Sequence, residues 1–152
     1  LSGKLDLGYD MFHAIMSARD SQAQAMASKL IRLAQENNLP VVIHGKAYKP
    51  DVEYCIGSYS TLVGHYIEQE GRKVVYVDPL ADDKTHVVDS VDEPAVFLWA
   101  HNRKITYEYT GEQQDTQAYC DIKPGSIIVD PWSKLASTVD YKVVHYGNTR
   151  SR

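Results

Sequence analysis

The chain has 152 residues, of which 43% are hydrophobic and 24% charged, and its formal net charge is −4. This composition is typical of a folded, soluble globular protein, and the length suits one domain with a sizeable core. The charge provides no electrostatic surface for nucleic acid or for an anionic membrane, so we expect neither as a partner.

The cysteine content and the hydropathy pattern indicate a cytoplasmic protein. Two cysteines, Cys55 and Cys120, make no disulfide framework. No charged and apolar leader appears, and no apolar run reaches the roughly 18 residues that a membrane span requires. The chain begins at Leu1 without a methionine, which is expected of a segment cut from a longer protein.

A long helix is predicted first, from about Tyr9 to Asn37. This stretch lacks proline and glycine and is rich in Ala, Gln, Met, Leu, Lys and Arg. The sequence Asn37-Asn38-Leu39-Pro40 ends it. Small and apolar side chains form a broad stripe that would allow another helix to approach closely: Ile15, Met16, Ala23, Met26, Ala27, Leu30, Ile31 and Ala34.

A βαβ unit follows the helix. Val41 to Ile43 reads as a strand buried on both faces, and Gly45 allows a tight turn after it. Ser58 is a candidate N-cap for a helix that Gly71 stops, and Lys73 to Val77 reads as the second strand. The apolar positions of this second helix share one face: Tyr59, Leu62, Val63, Tyr66 and Ile67.

Three further strands are predicted, over residues 95–100, 126–130 and 141–146. The acidic, turn-rich residues 80–94 read as a solvated connection. Residues 104–109 alternate like a strand, and residues 112–120 are compatible with a helix.

Buried strands separated by crossovers predict an α/β domain with a three-layer, Rossmann-like parallel sheet preceded by a long N-terminal helix. We divide the chain into the helix, 1–38, and the sheet domain, 39–152. Ligands of such sheets lie beyond the carboxyl ends of the strands, at the switch point. The loop 45–57, Asp78, His101 and the turn 130–132 are therefore expected to converge there.

Two residues of the first loop have chemistry suited to a nucleotide. The ammonium of Lys49 can bind a phosphate or a sugar hydroxyl, and Tyr48 can pack on a base or a ribose. The alternative for Lys49 is an ordinary solvent-facing lysine. Trp132 can stack on a base, although a tryptophan after a strand is more often a core or rim residue.

The same loop resembles the C-terminal, nucleotide-sugar-binding domain of the UDP-glucose/GDP-mannose dehydrogenase family. The matching residues, in order and spacing, are Gly45, Ala47, Tyr48, Lys49, Pro50, Asp51, Ser58 and the closing Asp78-Pro79. The similarity extends from about Tyr9 to Gly147. The chain departs from the family at Ile56, Gly57 and Tyr59, where arginine, glutamate and proline are usual, and no arginine closely follows Asp130.

The resemblance implies the binding part of an NAD-dependent enzyme that oxidises a sugar C6 alcohol to a carboxylate. It places Gly45, Tyr48, Lys49, Asp130 and Trp132 on the nucleotide-sugar substrate. It also implies a homodimer formed through the long helix. NAD and the catalytic cysteine would belong to an N-terminal half that this chain does not contain, so the chain alone should be inactive.

The residues themselves argue against a cofactor or a metal in this chain. Asp78 could mimic a ribose-binding acid, but Gly45-Lys46-Ala47 lacks the Gly-x-Gly-x-x-Gly turn of direct NAD binding. The histidines and cysteines show no metal-ligand spacing. His44 and His101 lie at strand ends near the predicted cleft, yet a core or surface position is the favoured interpretation. Cys55 has no adjacent base in the sequence, and catalysis by it is disfavoured.

The two absent arginines leave alternatives open. Each charge-assisted bond to an anion is worth roughly 1.5–3 kcal/mol, so their loss would weaken binding by roughly two or more orders of magnitude unless other residues compensate. One alternative is a non-catalytic nucleotide-binding or dimerisation module derived from the family. Another is a Rossmann-like domain with an unrelated ligand.

Overall fold

The computed structural model of the protein describes residues 2–46, 58–101, 118–131, 135 and 137–145. Side chains are described from residue 11 onward within these ranges, except those of Phe12, Ile15 and Met16. Several sequence predictions lie outside the described residues: the roles of Tyr48, Lys49, Cys55, Ile56 and Trp132, the strand-like residues 104–109, and most of the possible helix 112–120.

Two helices and five strands make up the described fold. In chain order they are α1 (Ser2–Asn37), β1 (Val41–His44), α2 (Tyr59–Gln69), β2 (Val74–Val77), β3 (Val96–Trp99), β4 (Ser126–Asp130) and β5 (Tyr141–His145). The strands form one sheet in the order β2-β1-β3-β4-β5, and every neighbouring pair is parallel. This is a doubly-wound order, and it confirms the predicted α/β, Rossmann-like sheet with a preceding helix.

Helix α1 is longer than predicted, because it begins at Ser2 rather than near Tyr9. Asn38 takes a positive φ of 54° directly after its last residue, and the Leu39 N–H donates to the Ala34 carbonyl at 3.0 Å. This is the geometry of a left-handed helix C-cap. Among the α1 residues whose side chains are described, all the buried apolar ones lie in the C-terminal half of the helix. They are Ala23, Met26, Ala27, Leu30 and Ala34.

Helix α2 begins and ends where its capping residues predict. Ser58 is the N-cap, and its hydroxyl accepts the Ser60 N–H at 3.1 Å. Gly71 takes φ 80° and donates to the Glu68 carbonyl at 2.9 Å, and Arg72 N–H donates to the Ile67 carbonyl. These two bonds form a Schellman motif that satisfies the last carbonyls of the helix.

The core has two parts, one on each face of the sheet. Both helices pack on one face, where the strand residues are Val41, Ile43, Val74, Tyr76, Val96, Leu98, Ile127 and Val129. On the other face, Val42, Phe97, Trp99 and Ile128 contact residues of the connecting segments, among them Val91 and Ile122. The apolar runs of the strands follow from this burial on both faces.

The described connecting segments on the second face contain no α-helix. The acidic connection 80–94 is turn-rich, as predicted, but it also buries Ala81 and Val91 and forms a bridge between Val87 and Tyr76. Residues 118–120, the end of the possible helix 112–120, are not helical. The reason is that the Tyr119 N–H donates to the His44 ring instead of a helical carbonyl.

Across the described part of the chain, neither helix has an apolar stretch sufficient to cross a bilayer.

Candidate ligand-binding edge of the sheet

The switch point of the sheet lies at the carboxyl ends of β1 and β3. The chain leaves β1 toward β2 on one side, whereas β3 begins the strands on the other side. The crevice outside such a point is the usual ligand position in open α/β sheets. Here the strands stay joined beyond their ends, because the N–H groups of Ala100 and His101 both donate to the His44 carbonyl, at 3.1 and 3.3 Å.

Gly45 is the first residue beyond β1, and its position requires a glycine. Its φ is 108°, a region that side chains rarely tolerate, and its N–H donates to the Val77 carbonyl at 2.8 Å. A Cβ at this position would lie 2.5 Å from Cγ of His101. The imidazole of His101 therefore lies directly against the start of the loop.

Asp78, at the end of β2, holds the start of the loop. Its carboxylate is 1% exposed and accepts the Lys46 N–H at Oδ2, 3.0 Å, and the Leu80 N–H at Oδ1, 3.2 Å. Both oxygens are thus engaged by backbone donors. With a single glycine in the turn as well, these residues do not fit a direct NAD site, in which the acid must be available to a ribose.

Lys46 has a buried side chain that sequence reasoning missed. The residue is 3% exposed, and its ammonium donates to the Thr85 carbonyl at 2.6 Å and lies 3.3 Å from Oδ2 of Asp83. It also lies 4.9 Å from the centroid of the Tyr76 ring. Hydrogen bonds from Thr85, with a smaller contribution from Lys46, lower the pKa of Asp83 to about 2.

The two residues that flank segment 47–57 are bonded to each other. The Ser58 hydroxyl donates to the Lys46 carbonyl at 2.7 Å while it accepts the Ser60 N–H in the first turn of α2. The segment therefore leaves and rejoins the described fold at one point. That point lies at the carboxyl edge, beside the N-terminus of α2.

Three aromatic rings occupy the crevice on the second face of the sheet. The His44 ring is fully buried, stacks on Trp99 at 3.8 Å between centroids, and stacks on Tyr119 at 4.7 Å on its other side. Its Nε2 accepts the Tyr119 N–H at 2.7 Å. The Tyr119 hydroxyl lies 2.7 Å from Nδ1 of His101. Both histidines are buried, which fits their interpretation as core residues.

Tyr119 was not singled out from the sequence, because it lies 75 residues from its partner His44 and follows no motif. Its ring packs against the rings of His44 and His101 on this face. Gly45, Lys46 and Ser58 lie at the carboxyl edge, where segment 47–57 begins and ends.

Asp130 lies at the end of β4, which is separated from β1 by β3. Its carboxylate is fully buried, accepts the Leu135 N–H at 2.8 Å, and lies 3.9 Å from Nε2 of His145. The same His145 nitrogen is 2.9 Å from the Leu135 carbonyl. These contacts anchor the turn after β4, so the observed role of Asp130 is structural, and its contact with a substrate remains a prediction.

A cavity of about 600 Å³ lies at the opposite, amino-terminal edge of the sheet. Val42, Val75 and Val91 line it, with the charges of Lys73 and Asp92 among its polar lining residues. Doubly-wound sheets bind their ligands at the carboxyl edge, so we assign the candidate site there. Within the described ranges, no three His, Cys, Asp or Glu residues are arranged to hold a metal ion.

Comparison with known proteins gives weak structural similarity and no match at the level of sequence families. No protein-family model matches the chain, and no curated protein matches it. A UDP-D-ManNAc dehydrogenase from Pyrococcus horikoshii is similar over 79% of this chain and 30% of its own, with 18% identity and a TM-score of 0.46. The chain thus spans less than a third of that enzyme. We draw no functional conclusion from a similarity of this size.

Proposed function

We propose that this chain is the nucleotide-sugar-binding part of an NAD-dependent 6-dehydrogenase of the UDP-glucose/GDP-mannose type. Such an enzyme oxidises a sugar C6 alcohol to a carboxylate. The observation that carries the proposal is the position of the loop with the Gly45-to-Asp51 sequence. This loop leaves the sheet from the carboxyl end of β1, next to the switch point, and Asp78 and Ser58 bond to its base.

Each proposed contact uses the chemistry of its side chain. The ammonium of Lys49 binds a phosphate or a sugar hydroxyl, and Tyr48 packs on the base or the ribose. Gly45 starts the loop without a side chain. Asp130 at the end of β4 and Trp132 just after it are the remaining proposed contacts. The chain binds and orients the substrate, whereas the NAD site and the catalytic thiol belong to another part of the enzyme.

The affinity of this site should be moderate. Ile56 and the turn after Asp130 lack the arginines of the family pattern, and each such bond is worth roughly 1.5–3 kcal/mol. The net charge of −4 does not attract an anion either. Lys49 therefore carries a large share of the cationic contact, which makes it the residue to test.

We expect Lys49→Ala to weaken the binding of UDP or GDP by about tenfold, the scale of one lost charge-assisted bond. Isothermal titration calorimetry on the 152-residue chain measures this. Lys73→Ala is the matched control, because Lys73 is exposed and lies just before β2, at the amino edge. It should bind as the unmodified chain does. Equal affinities for all three proteins would remove Lys49 from the site.

We also propose that α1 forms a homodimer interface. Where its N-terminal half is described, small side chains are exposed at Ala14, Ser17 and Ala18, and Met11 is 68% exposed. Sedimentation equilibrium should show a dimer that Ala18→Glu dissociates, whereas Gln35→Glu, at an exposed position in the other half, leaves it intact. A monomeric unmodified chain would contradict the dimer.

The second candidate function is a non-catalytic nucleotide-binding or dimerisation module derived from the same family. The missing arginines favour it. The intact mass of the native protein, with its upstream reading frame, separates the two. A mass well above 17.1 kDa, with Gly-x-Gly-x-x-Gly and Gly-Gly-x-Cys upstream, supports the dehydrogenase. A native product that begins near Leu1 supports the module.

A further inference from the structure

The edge strands of the described sheet are β2 and β5, because they stand at the two ends of its strand order. An edge strand presents backbone N–H and C=O groups along its outer side, and these groups can pair with a strand of another molecule. Strand β5 suits such pairing, since its sequence Tyr-Lys-Val-Val-His is rich in residues that favour strands. What covers the outer side of β5 therefore decides whether the sheet can extend into a second molecule.

The outer side of β5 is covered by the residues that precede it. Tyr141 and Val143 are two residues apart, so their backbone groups face the same side of the strand. The Val143 N–H donates to the Ser137 hydroxyl at 2.9 Å, and the Tyr141 N–H donates to Oγ1 of Thr138 at 3.3 Å. The Thr138 N–H donates to the Tyr141 carbonyl at 2.9 Å. Ser137 and Thr138, which we call the edge guard, thus bind the outward N–H groups of β5.

The opposite edge of the sheet is covered by backbone alone. The Tyr76 N–H donates to the His86 carbonyl at 2.9 Å, and the Val88 N–H donates to the Tyr76 carbonyl at 2.8 Å. Val87 forms a parallel bridge with Tyr76 there. At β5, by contrast, the acceptors are the hydroxyls of two exposed side chains. Substitution of the edge guard can therefore open the β5 edge while the strand itself is unchanged.

We infer that the edge guard closes the sheet to strand addition by a second copy of this chain. Two copies of β5 running antiparallel about a two-fold axis would form a self-complementary pair, the usual arrangement in symmetric dimers. The N–H groups that such a partner must bind are already occupied by Ser137 and Thr138. This role does not depend on the nucleotide chemistry proposed above.

The sequence of β5 offers no other obstacle to this pairing. In an antiparallel pair centred on Val143, the two Val143 residues face each other and Lys142 faces Val144 of the other copy. The two Lys142 ammonium groups are consequently not directly opposed, and like-charge repulsion does not forbid the pair. The hydrogen bonds of the edge guard are what prevents it.

The test removes both hydroxyl acceptors with Ser137→Ala/Thr138→Val in the 152-residue chain. Every protein in the series also carries Ala18→Glu, so that an interface on α1 does not contribute. Sedimentation equilibrium should show a dimer of the double variant, with a dissociation constant at least about tenfold below that of the protein with an intact guard. Ser90→Ala is the matched control, since Ser90 is exposed and outside the helices and strands, and it should not change the association.

Amide hydrogen exchange locates the contact. At low protein concentration, the Val143 amide of the double variant should exchange at least about tenfold faster than with the guard intact, because it has lost its acceptor. At high concentration its protection should return, because the partner strand binds the same N–H. Melting temperatures measured on the same proteins report stability separately.

Three results would overturn the inference. One is a double variant that stays monomeric, and another is a dimer in which Val143 remains unprotected, since the contact would then lie elsewhere. The third is a protein with an intact guard whose Val143 protection rises with concentration as it dimerises. Should the double variant not fold, Ser137→Ala is compared with Ser137→Thr, which keeps a hydroxyl. Dimerisation of the alanine protein alone supports the guard, and equal association of the two overturns it.

Discussion

Gly45 and Gly71 both take positive φ angles, of 108° and 80°, but their surroundings differ. A Cβ at Gly45 would meet the His101 ring at 2.5 Å, whereas a Cβ at Gly71 would meet nothing within 4 Å. Substitutions at the two positions therefore distinguish the cost of backbone strain, present at both, from the cost of steric overlap, present only at Gly45.

We expect Gly71→Ala to cost about 1 kcal/mol from backbone strain alone, and Gly45→Ala to cost about 3 kcal/mol or more, because overlap with His101 adds to strain. Urea unfolding measures both free energies. Equal costs at the two positions would show that His101 moves away freely, and the close contact would then lose its importance for the loop.

Cys120 should be an unreactive thiol. Burial, with a smaller contribution from the charge of Asp121, raises its pKa to about 11. The thiolate is the reactive form, so alkylation by iodoacetamide at pH 8 should be at least about tenfold slower in the folded protein than in urea. A Cys55→Ser background leaves one thiol to follow by mass spectrometry. Equal rates would contradict the burial.

The raised pKa of Cys120 also makes the stability of the folded protein depend on pH at alkaline values. The pKa of Cys120 in the folded protein lies above the ordinary thiol value of about 9.0. Its contribution to stability is therefore complete below pH 9 and is lost as the pH rises through about 11.

At the residue scale, the sequence predicts that Gly45 is needed for a turn, but it does not predict that the side chain of Lys46 is buried. The need for Gly45 follows from a turn directly after a buried strand, which is a local signal. The burial of Lys46 depends on Tyr76, Asp83 and Thr85, which lie 30 to 39 residues away. Nothing in the local sequence marks it, except its place next to the turn glycine.

At the element scale, the ends of α2 were predictable because capping is local. Ser58 and Gly71 make their bonds within the helix and its flanks. The start of α1, by contrast, was not predictable from local signals. Gly3 and Gly8 each disfavour a helix by about 1 kcal/mol, but extending an existing helix requires no new nucleus, so the helix continues to Ser2.

The packing of α2 on β2 leads to a prediction at Gly64. A Cβ there would overlap the hydroxyl oxygen of Tyr76, although alanine is the better helix former by about 1 kcal/mol. We expect Gly64→Ala to destabilise the protein by about 2 kcal/mol, as overpacked cores do. The cost should fall in a Tyr76→Phe background, which removes that oxygen. A stabilised Gly64→Ala protein would contradict this packing.

At the scale of the whole molecule, the sequence indicated strands, a βαβ unit and a parallel sheet, but not the strand order. That order depends on which side of β1 each later strand joins, and this is set by long-range packing on both faces. The order determines which strands adjoin at the switch point, whereas the parallel direction of the strands already places Gly45, Asp78 and His101 at one edge, as the sequence predicts. The position of Tyr119 on the second face of the sheet could not be predicted from the sequence either, because it results from contacts with His44 and His101.

The most direct test of the proposed site is a titration of the isotope-labelled 152-residue chain with UDP and with GDP, followed by amide chemical shifts. Binding at the carboxyl edge predicts saturable shifts at Gly45, Lys46 and Ser58, and none at Lys73 or Asp140 at the amino edge. Shifts confined to the amino edge, or no saturable shift with either nucleotide, would contradict a nucleotide-sugar site at the end of β1.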